Sequence, residues 1–506
     1  MDFMDITDRN IKIDPFSDDN RGTDLGKRTV KSGAIVMASE IFSAVMRLIA
    51  TAILARILFP EDFGLLAMVT AITMFAERFK DIGLGDATVQ SKEINHEEIS
   101  SLFWINICVC LVLTVILSLL SSPIAWFYQD ERLENITIVI ASTFIFSGLV
   151  IQHQALLRRK LRFGALAFIQ FYSVFVSLVV AVLFAYLGFG YWALVAKEFI
   201  RALLVVIGTW VACPWRPSLP GKMNNLGKYI SMGKDITGFN LLHFFSRSID
   251  RIIIGKLFGP LWAGLYANAY QLVTLPVNQI QYPVNTVAFP TLSTLQGDQK
   301  VFRSYFEKMI QLLTFITMPA VMFVAIFADI IVGLLLGPRW NDSIPILRIV
   351  AIGVFVEPII HASGPAIVAV GKTKVYFKMG LINSIIMISC LIVGSSAGAS
   401  GVALGYSISI YLSLIVCLGY GLKDTAIIVK DLLKKIAVVV IINIVTATML
   451  LLFRIFMGWN LNEWWLIVFA AVSLVLYLGI WMCMPGGRLI LRTYKDYANS
   501  IIVLSK

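Results

Sequence analysis

The chain has 506 residues, of which 58% are hydrophobic and only 14% charged, with a mean hydropathy of +0.82. A soluble domain is about 25% charged, so the polar surface that a soluble chain of this length needs is missing; soluble, disordered, collagenous and disulfide-scaffold classes are excluded, and lipid must be the solvent. The excess of 42 basic over 31 acidic residues, formally +11, then points to basic cytoplasmic loops before it points to nucleic acid.

In chain order, residues 1–30 form a polar tail with no apolar stretch followed by a cleavage site, so the first span is expected to act as an uncleaved signal. A membrane helix needs about 20 apolar residues. Such stretches lie near 33–58, 63–85, 99–121, 136–156, 165–187 and 190–212, then near 230–256, 262–288, 306–328, 343–369, 375–396, 399–421, 433–456 and 462–483. This is a fourteen-span reading, in which the second, seventh and eighth are amphipathic, as suits helices that face a water-filled cavity. The expected organisation is a tail 1–30, an N-lobe 31–215, a cytoplasmic linker 216–229, a C-lobe 230–422, a helix pair 430–484 and a tail 485–506.

Loop charges support both termini being cytoplasmic. Arg158, Arg159, Lys160 and Arg162 follow span four, Arg216, Lys222 and Lys228 follow span six, and Lys423, Lys430, Lys434 and Lys435 lie before or at the start of span thirteen. About 31 of the 42 basic residues fall on that side and about five on the other, the asymmetry that orients membrane proteins. No loop is large enough to form an extramembranous domain.

Residues 33–67 align without gaps on 233–267 at an offset of 200, with Gly33/Gly233, Arg47/Arg247, Ile49/Ile249, Ile53/Ile253, Pro60/Pro260, Gly64/Gly264, Leu65/Leu265 and Ala67/Ala267 identical. Each aligned span opens a block of six. Six plus six in the same orientation describes a parallel repeat about an axis normal to the membrane, with two helices appended. The expected fold is thus an all-α polytopic membrane protein: two pseudo-symmetric six-helix lobes plus two C-terminal helices around a central cleft.

Six basic residues lie inside spans: Arg47, Lys197, Arg201, Arg247, Arg251 and Arg348. Facing lipid they would cost on the order of 15–20 kcal/mol together. Lys197 and Arg201, like Arg247 and Arg251, are four residues apart and share a helix face. Two readings are open. One is internal ion pairing, for example Glu198 with Arg201. The other is a cationic cleft that receives an anion, with Arg47 and Arg247 facing each other across it; pairing leaves a positive excess in spans one, six, seven and ten. His361, near Glu357, is a residue that could titrate. The six cysteines form no CxxC pair and read as small core residues. There is no P-loop, HExxH or GxSxG pattern, and no metal or cofactor is expected.

The stretch Leu54-Ala55-Arg56-Ile57-Leu58-Phe59-Pro60-Glu61-Asp62-Phe63-Gly64-Leu65 resembles the polysaccharide-transporter branch of the multidrug/oligosaccharidyl-lipid/polysaccharide exporter superfamily. So do Arg158-Arg159-Lys160-Leu161-Arg162-Phe163, the run from Ile249-Asp250-Arg251 to Gly264-Leu265-Tyr266, and Phe289-Pro290-Thr291-Leu292. The resemblance spans roughly 30–485 and is nearest to Wzx-type exporters of colanic acid and similar acidic exopolysaccharides. It implies a flippase, not an enzyme, that moves undecaprenyl-diphosphate-linked oligosaccharide repeat units across a bacterial inner membrane by alternating access. Its partners would be that lipid-linked substrate, membrane lipid and polysaccharide polymerase or co-polymerase proteins, with no nucleic acid and a monomeric chain. Ion coupling is implied as well, with Glu40, Asp250 and Glu357 as candidates. The alternatives are another cargo on the same fold, a peptidoglycan precursor or a small molecule, and a membrane polysaccharide polymerase.

Overall fold

The computed structural model describes residues 25–484 and 487, apart from 78, 82, 92–94, 220–225, 424 and 458–463. Side chains are described from Ser39 onward in the first helix, Glu40 excepted, and from Ser248 onward in the ninth, 282, 283 and 285–287 excepted; that of Gln90 is not described either. Of the expected tails 1–30 and 485–506, residues 1–24, 485, 486 and 488–506 lie outside the described residues.

All regular structure among the described residues is helical. The first half runs α1 (Leu25–Ile57), α2 (Pro60–Glu77), α3 (Leu84–Gln90), α4 (His96–Leu119), α5 (Ser121–Tyr128), α6 (Arg132–Arg159), α7 (Phe163–Tyr186) and α8 (Trp192–Ala212). The second half runs α9 (Leu226–Leu295), α10 (Gln299–Ile326), α11 (Ala328–Leu335), α12 (Ser343–Val354), α13 (Glu357–Ala369), α14 (Thr373–Ser395) and α15 (Gly398–Val416). The appended pair is α16 (Val429–Met457) and α17 (Trp465–Cys483).

Local chemistry sets several ends. At α2, Pro60 supplies a preset φ and Asp62 reaches back to accept the Phe59 N–H at 2.9 Å. At α10, Asp298 accepts from the backbone of Lys300 and Val301. The long α9 is two helices joined at Gly259, whose φ of 79° and ψ of −176° are open only to glycine. The turn falls between the two spans expected at 230–256 and 262–288.

Two expected spans end differently. The stretch 63–85 stops at Glu77, and α3 restarts after a turn in which Asp81 accepts the Gly85 N–H at 2.8 Å. The stretch 343–369 is split between α12 and α13, because Pro358 in the first turn of α13 cannot donate a helix bond. Nine helical stretches among the described residues are long and apolar enough to cross a membrane. They do not include α1, α2, α8 or α9, which between them carry Arg47, Glu77, Lys197, Glu198, Arg201 and Arg251. The structure gives those side chains a polar place to go.

The repeat has a physical expression. Gly64 on α2 and Gly264 on α9 sit where the two elements cross. A Cβ at Gly64 would stand 1.7 Å from the Pro260 carbonyl oxygen, and one at Gly264 would stand 1.9 Å from that of Pro60. The paired positions of the alignment therefore touch each other, backbone on backbone. A second exchange lies beside it. The short helices α5 and α11 have eight residues each and begin 207 residues apart, at 121 and 328. Arg56 donates to the Leu334 carbonyl of α11 at 2.7 Å, and Lys256 donates to the Phe127 carbonyl of α5. Residues 127 and 334 are again 207 apart, so each lobe's cation grips the equivalent C-terminal turn of the other lobe, where helix carbonyls lack partners and favour positive charge. Trp340 tightens the same end, donating to the Ala55 carbonyl at 3.0 Å and meeting Phe63 edge-to-face.

The appended pair is clamped to α10 and its neighbours. Arg454 is fully buried, donates to the Ile326 carbonyl and to Asp329, and lies over Phe327. At the other end of α16, Lys435 bonds Glu307 at 2.5 Å and Asp431 bonds Arg303. Tyr477 of α17 donates to the Phe315 carbonyl at 3.0 Å.

Candidate substrate cavity between the lobes

A cavity of about 590 Å³ lies between the halves, walled by α1, α2, α7, α8 and the second arm of α9 together with its approach at Arg251. Its polar lining is Arg47, Lys197, Arg201 and Arg251 with Glu198, supplemented by Thr70, Gln170, Asn268, Gln271 and Asn278. Four of the six expected intramembrane cations thus meet in one space. The helical spacing explains each pair: Lys197 and Arg201 project one turn apart from α8, so both reach the same wall.

Glu198 is taken by its own helix. Arg201 donates to it at 2.8 and 3.1 Å, and Lys197 lies 3.2 Å away. This is the ion pairing the spacing allowed. It uses a single carboxylate, and four cations lining the cavity against one leave the excess positive. Arg47 makes no hydrogen bond or ion pair with another described group. Arg251 lies over the Tyr270 ring at 5.4 Å, and its buried Nε has no hydrogen-bond partner among the described residues. A buried donor left unmade costs about 1–3 kcal/mol, so the cavity holds donor capacity for an anionic ligand. No group of three or more His, Cys, Asp or Glu side chains that could hold a metal occurs among the described residues.

Two expected positions fall elsewhere. Arg348, on α12, is not among the residues lining this cavity; it lies 3.5 Å from Asp329, which Arg454 also grips, so it belongs to the clamp on the appended helices. The side chains of Arg247 and Glu40 lie outside the described residues.

Asp250 and Glu357 sit behind the cavity wall, in one tyrosine-bridged cluster. Tyr266 donates to Asp250 at 2.8 Å and stacks on Tyr270. Tyr270 meets Tyr406 edge-to-face at 5.6 Å, and Tyr406 bonds Glu357 at 3.4 Å. His361 lies 2.8 Å from Glu357, one helical turn on. Both carboxylates are buried, and Glu357 owes its position to the α12–α13 break, where it stands in the first turn of α13 and meets the positive end of the helix.

Sequence reasoning missed Thr70, Gln170, Asn268 and Gln271 of the neutral lining. Thr70 and Gln170 lie within apolar spans, and only a polar side chain in such a span marked them. Asn268 and Gln271, four and seven positions past Gly264, follow the crossing into the cavity.

Comparison with known proteins fits this geometry. A family model described as polysaccharide biosynthesis protein matches residues 53–345, more than half of the chain. A membrane protein in the cps region of Klebsiella pneumoniae is 26% identical over 393 residues, covering 76% of this chain and 80% of that one. Lipopolysaccharide biosynthesis protein WzxC of Escherichia coli is 23% identical over 389 residues, covering 76% and 78%. Among solved structures, lipid II flippase MurJ in an inward closed conformation matches with a TM-score of 0.71 at 15% identity, covering 88% of this chain and 97% of that one, a likeness of fold.

Proposed function

We propose a function from one premise: the chain belongs to the polysaccharide biosynthesis protein family, as a multi-pass transporter of the multidrug/oligosaccharidyl-lipid/polysaccharide exporter superfamily. It is a flippase for lipid-linked oligosaccharide repeat units. The lipid carrier is undecaprenyl diphosphate, and the movement is from the cytoplasmic to the periplasmic leaflet of a bacterial inner membrane. The observation that carries this is the meeting of Arg47, Lys197, Arg201 and Arg251 in one cavity between the lobes. A diphosphate presents many acceptor oxygens and compact negative charge. Guanidinium forks suit it best, with bonds about twice as strong as neutral ones.

Alternating access follows from the seal. The end closed by Arg56, Lys256 and the Gly64–Gly264 crossing faces the periplasm when the basic loops are cytoplasmic. Outward opening must break both cation-to-carbonyl grips together, since each holds one lobe to the other. Diphosphate in the cavity lowers the repulsion among the lining cations and draws the lobes together about it, a preference for one state that a carrier needs. Protonation within the Asp250–Tyr266–Tyr406–Glu357 cluster would couple an ion gradient to that step. The chain works as a monomer and hands its cargo to polymerase proteins outside.

Translocation in liposomes tests the reading. Purified protein is reconstituted with undecaprenyl-diphosphate oligosaccharide, and leaflet location is read by an added glycosidase. Protein-dependent crossing is the expected result; folded protein that moves no such lipid would sink the proposal. The fold likeness to a lipid II flippase favours a second cargo of the same chemistry, a peptidoglycan precursor. Lipid II in parallel liposomes separates the two.

A further inference from the structure

Resting on the flippase reading, we propose that a second chamber, wholly within the first half, is the subsite for the sugar residues nearest the diphosphate. This chamber measures about 510 Å³ and lies between α2, α6, α7 and α8. It shares Leu66, Thr70, Gln170, Glu198 and Arg201 with the cationic cavity, so one ligand can occupy both. Its volume falls in the range of ligand pockets, about 300–1,000 Å³.

The chemistry changes across the shared wall. Apart from the shared Glu198 and Arg201 the polar lining is mostly neutral: Thr70 and Gln170 on the shared wall, and Thr73, Thr143, Ser147 and Gln154 beyond it. The hydroxyls of Thr70, Thr143 and Ser147 give their protons to carbonyls of their own helices, at 3.1, 2.6 and 3.4 Å. Their oxygen lone pairs are then left as acceptors for the chamber. The side-chain amides of Gln154 and Gln170 bond no other described group, and each offers two donors and an acceptor. The charged pair at the far end, Glu77 with Lys80 at 2.5 Å, neutralises itself. Phe144 and Phe146 supply apolar faces.

Neutral donors and acceptors beside aromatic rings suit a pyranose, which presents hydroxyls at its rim and C–H groups on its face. They suit a second phosphate poorly, because a cation is lacking beyond the shared wall except the one bound to Glu77. They suit an acyl chain poorly too, since a hydrocarbon would leave the amides of Gln154 and Gln170 without hydrogen-bond partners. A ligand entering head first would therefore place diphosphate among Arg47, Lys197 and Arg251 and its first sugars among the threonines and glutamines. A site that hydrogen-bonds a substrate hydroxyl discriminates strongly against a ligand that lacks it, so this chamber, more than the cationic cavity, would set which glycan is carried.

The test uses the full chain in nanodiscs and two probes. One is bare undecaprenyl diphosphate. The other is the undecaprenyl-diphosphate oligosaccharide extracted from membranes of the native host lacking this protein, where it accumulates. Wild type is expected to bind the glycolipid more tightly. Gln154→Ala should weaken glycolipid binding about fivefold, and Ser147→Trp, which fills the chamber, about tenfold or more. Both should leave binding of the bare lipid unchanged, which also certifies that they fold. Arg251→Ala should weaken both probes. Equal affinity of wild type for the two probes, or variants that lose neither or both alike, would overturn the sugar subsite while leaving the flippase reading in place. A wild-type protein that binds neither probe would overturn both.

Discussion

The two halves of the chain share an aligned stretch, 33–67 on 233–267, yet they are packed differently. The second half and the appended helices share one continuous apolar core, from Ile254 and Leu272 through Phe327, Trp340 and Leu391 to Trp481, which reaches across to Leu65, Met68 and Tyr128 of the first half. The rest of the first half has three small separate clusters, around Leu54 and Ala181, around Phe103 and Trp215, and around Cys110 and Phe144. Between them lie the two polar spaces. A core that is divided forgoes dispersion and burial; in return it provides walls that can carry arginine, lysine and glutamine. The lesson is a division of labour between two halves related in sequence: the first supplies most of the walls of the polar spaces, the second the continuous core and the buried carboxylate cluster.

That contrast can be broken or sharpened in several ways, the most severe first. Gly64→Leu and Gly264→Leu should each abolish recovery of monodisperse protein, because the added side chain meets backbone, which cannot move aside. A variant that folds and melts like wild type would refute the crossing. Next, Arg47→Ala and Arg251→Ala should cut liposome translocation at least tenfold with normal insertion and melting temperature. Arg348→Ala should do the reverse, lowering the melting temperature through Asp329 while translocation per folded molecule is kept.

Arg56→Ala and Lys256→Ala should act alike, since each removes one of two equivalent grips. Both should raise the rate at which a cysteine placed at Thr51, in the cavity wall, reacts with an impermeant thiol reagent from the periplasmic side. A response from only one of them would show the seal to be asymmetric. The smallest effect belongs to Arg132→Ala. The Arg132–Asp130 pair is 2.7 Å long but half exposed, and such pairs are worth about 0–1 kcal/mol. Melting and transport should hardly change.

Much of this was legible in the sequence, and the reasons are physical. Lipid admits few solutions, so every backbone group must be satisfied within a helix. Each of the fourteen expected stretches contains or overlaps a helix, even where, as at 63–85 and 343–369, a glycine or proline interrupts it. Cations in apolar runs advertise a cavity because lipid will not hold them, and Arg47, Lys197, Arg201 and Arg251 do meet in one. Arg348 follows the same rule by a different route, for Asp329 and a protein interface satisfy it instead. Sequence spacing reports that a charge needs a partner, not which partner it finds.

The sequence by itself determined the solvent, the helices, the repeat and the presence of intramembrane charge, because these follow from transfer free energies and local periodicity that each segment carries alone. Tertiary structure decided which charges share a space and which neutral residues join them. It also decided that Gly64 meets Pro260 and Gly264 meets Pro60, and that Arg56 and Lys256 trade places on the short helices of opposite lobes. Those contacts join residues some 200 positions apart. Nothing local encodes them, since they depend on how two folded lobes lie against each other.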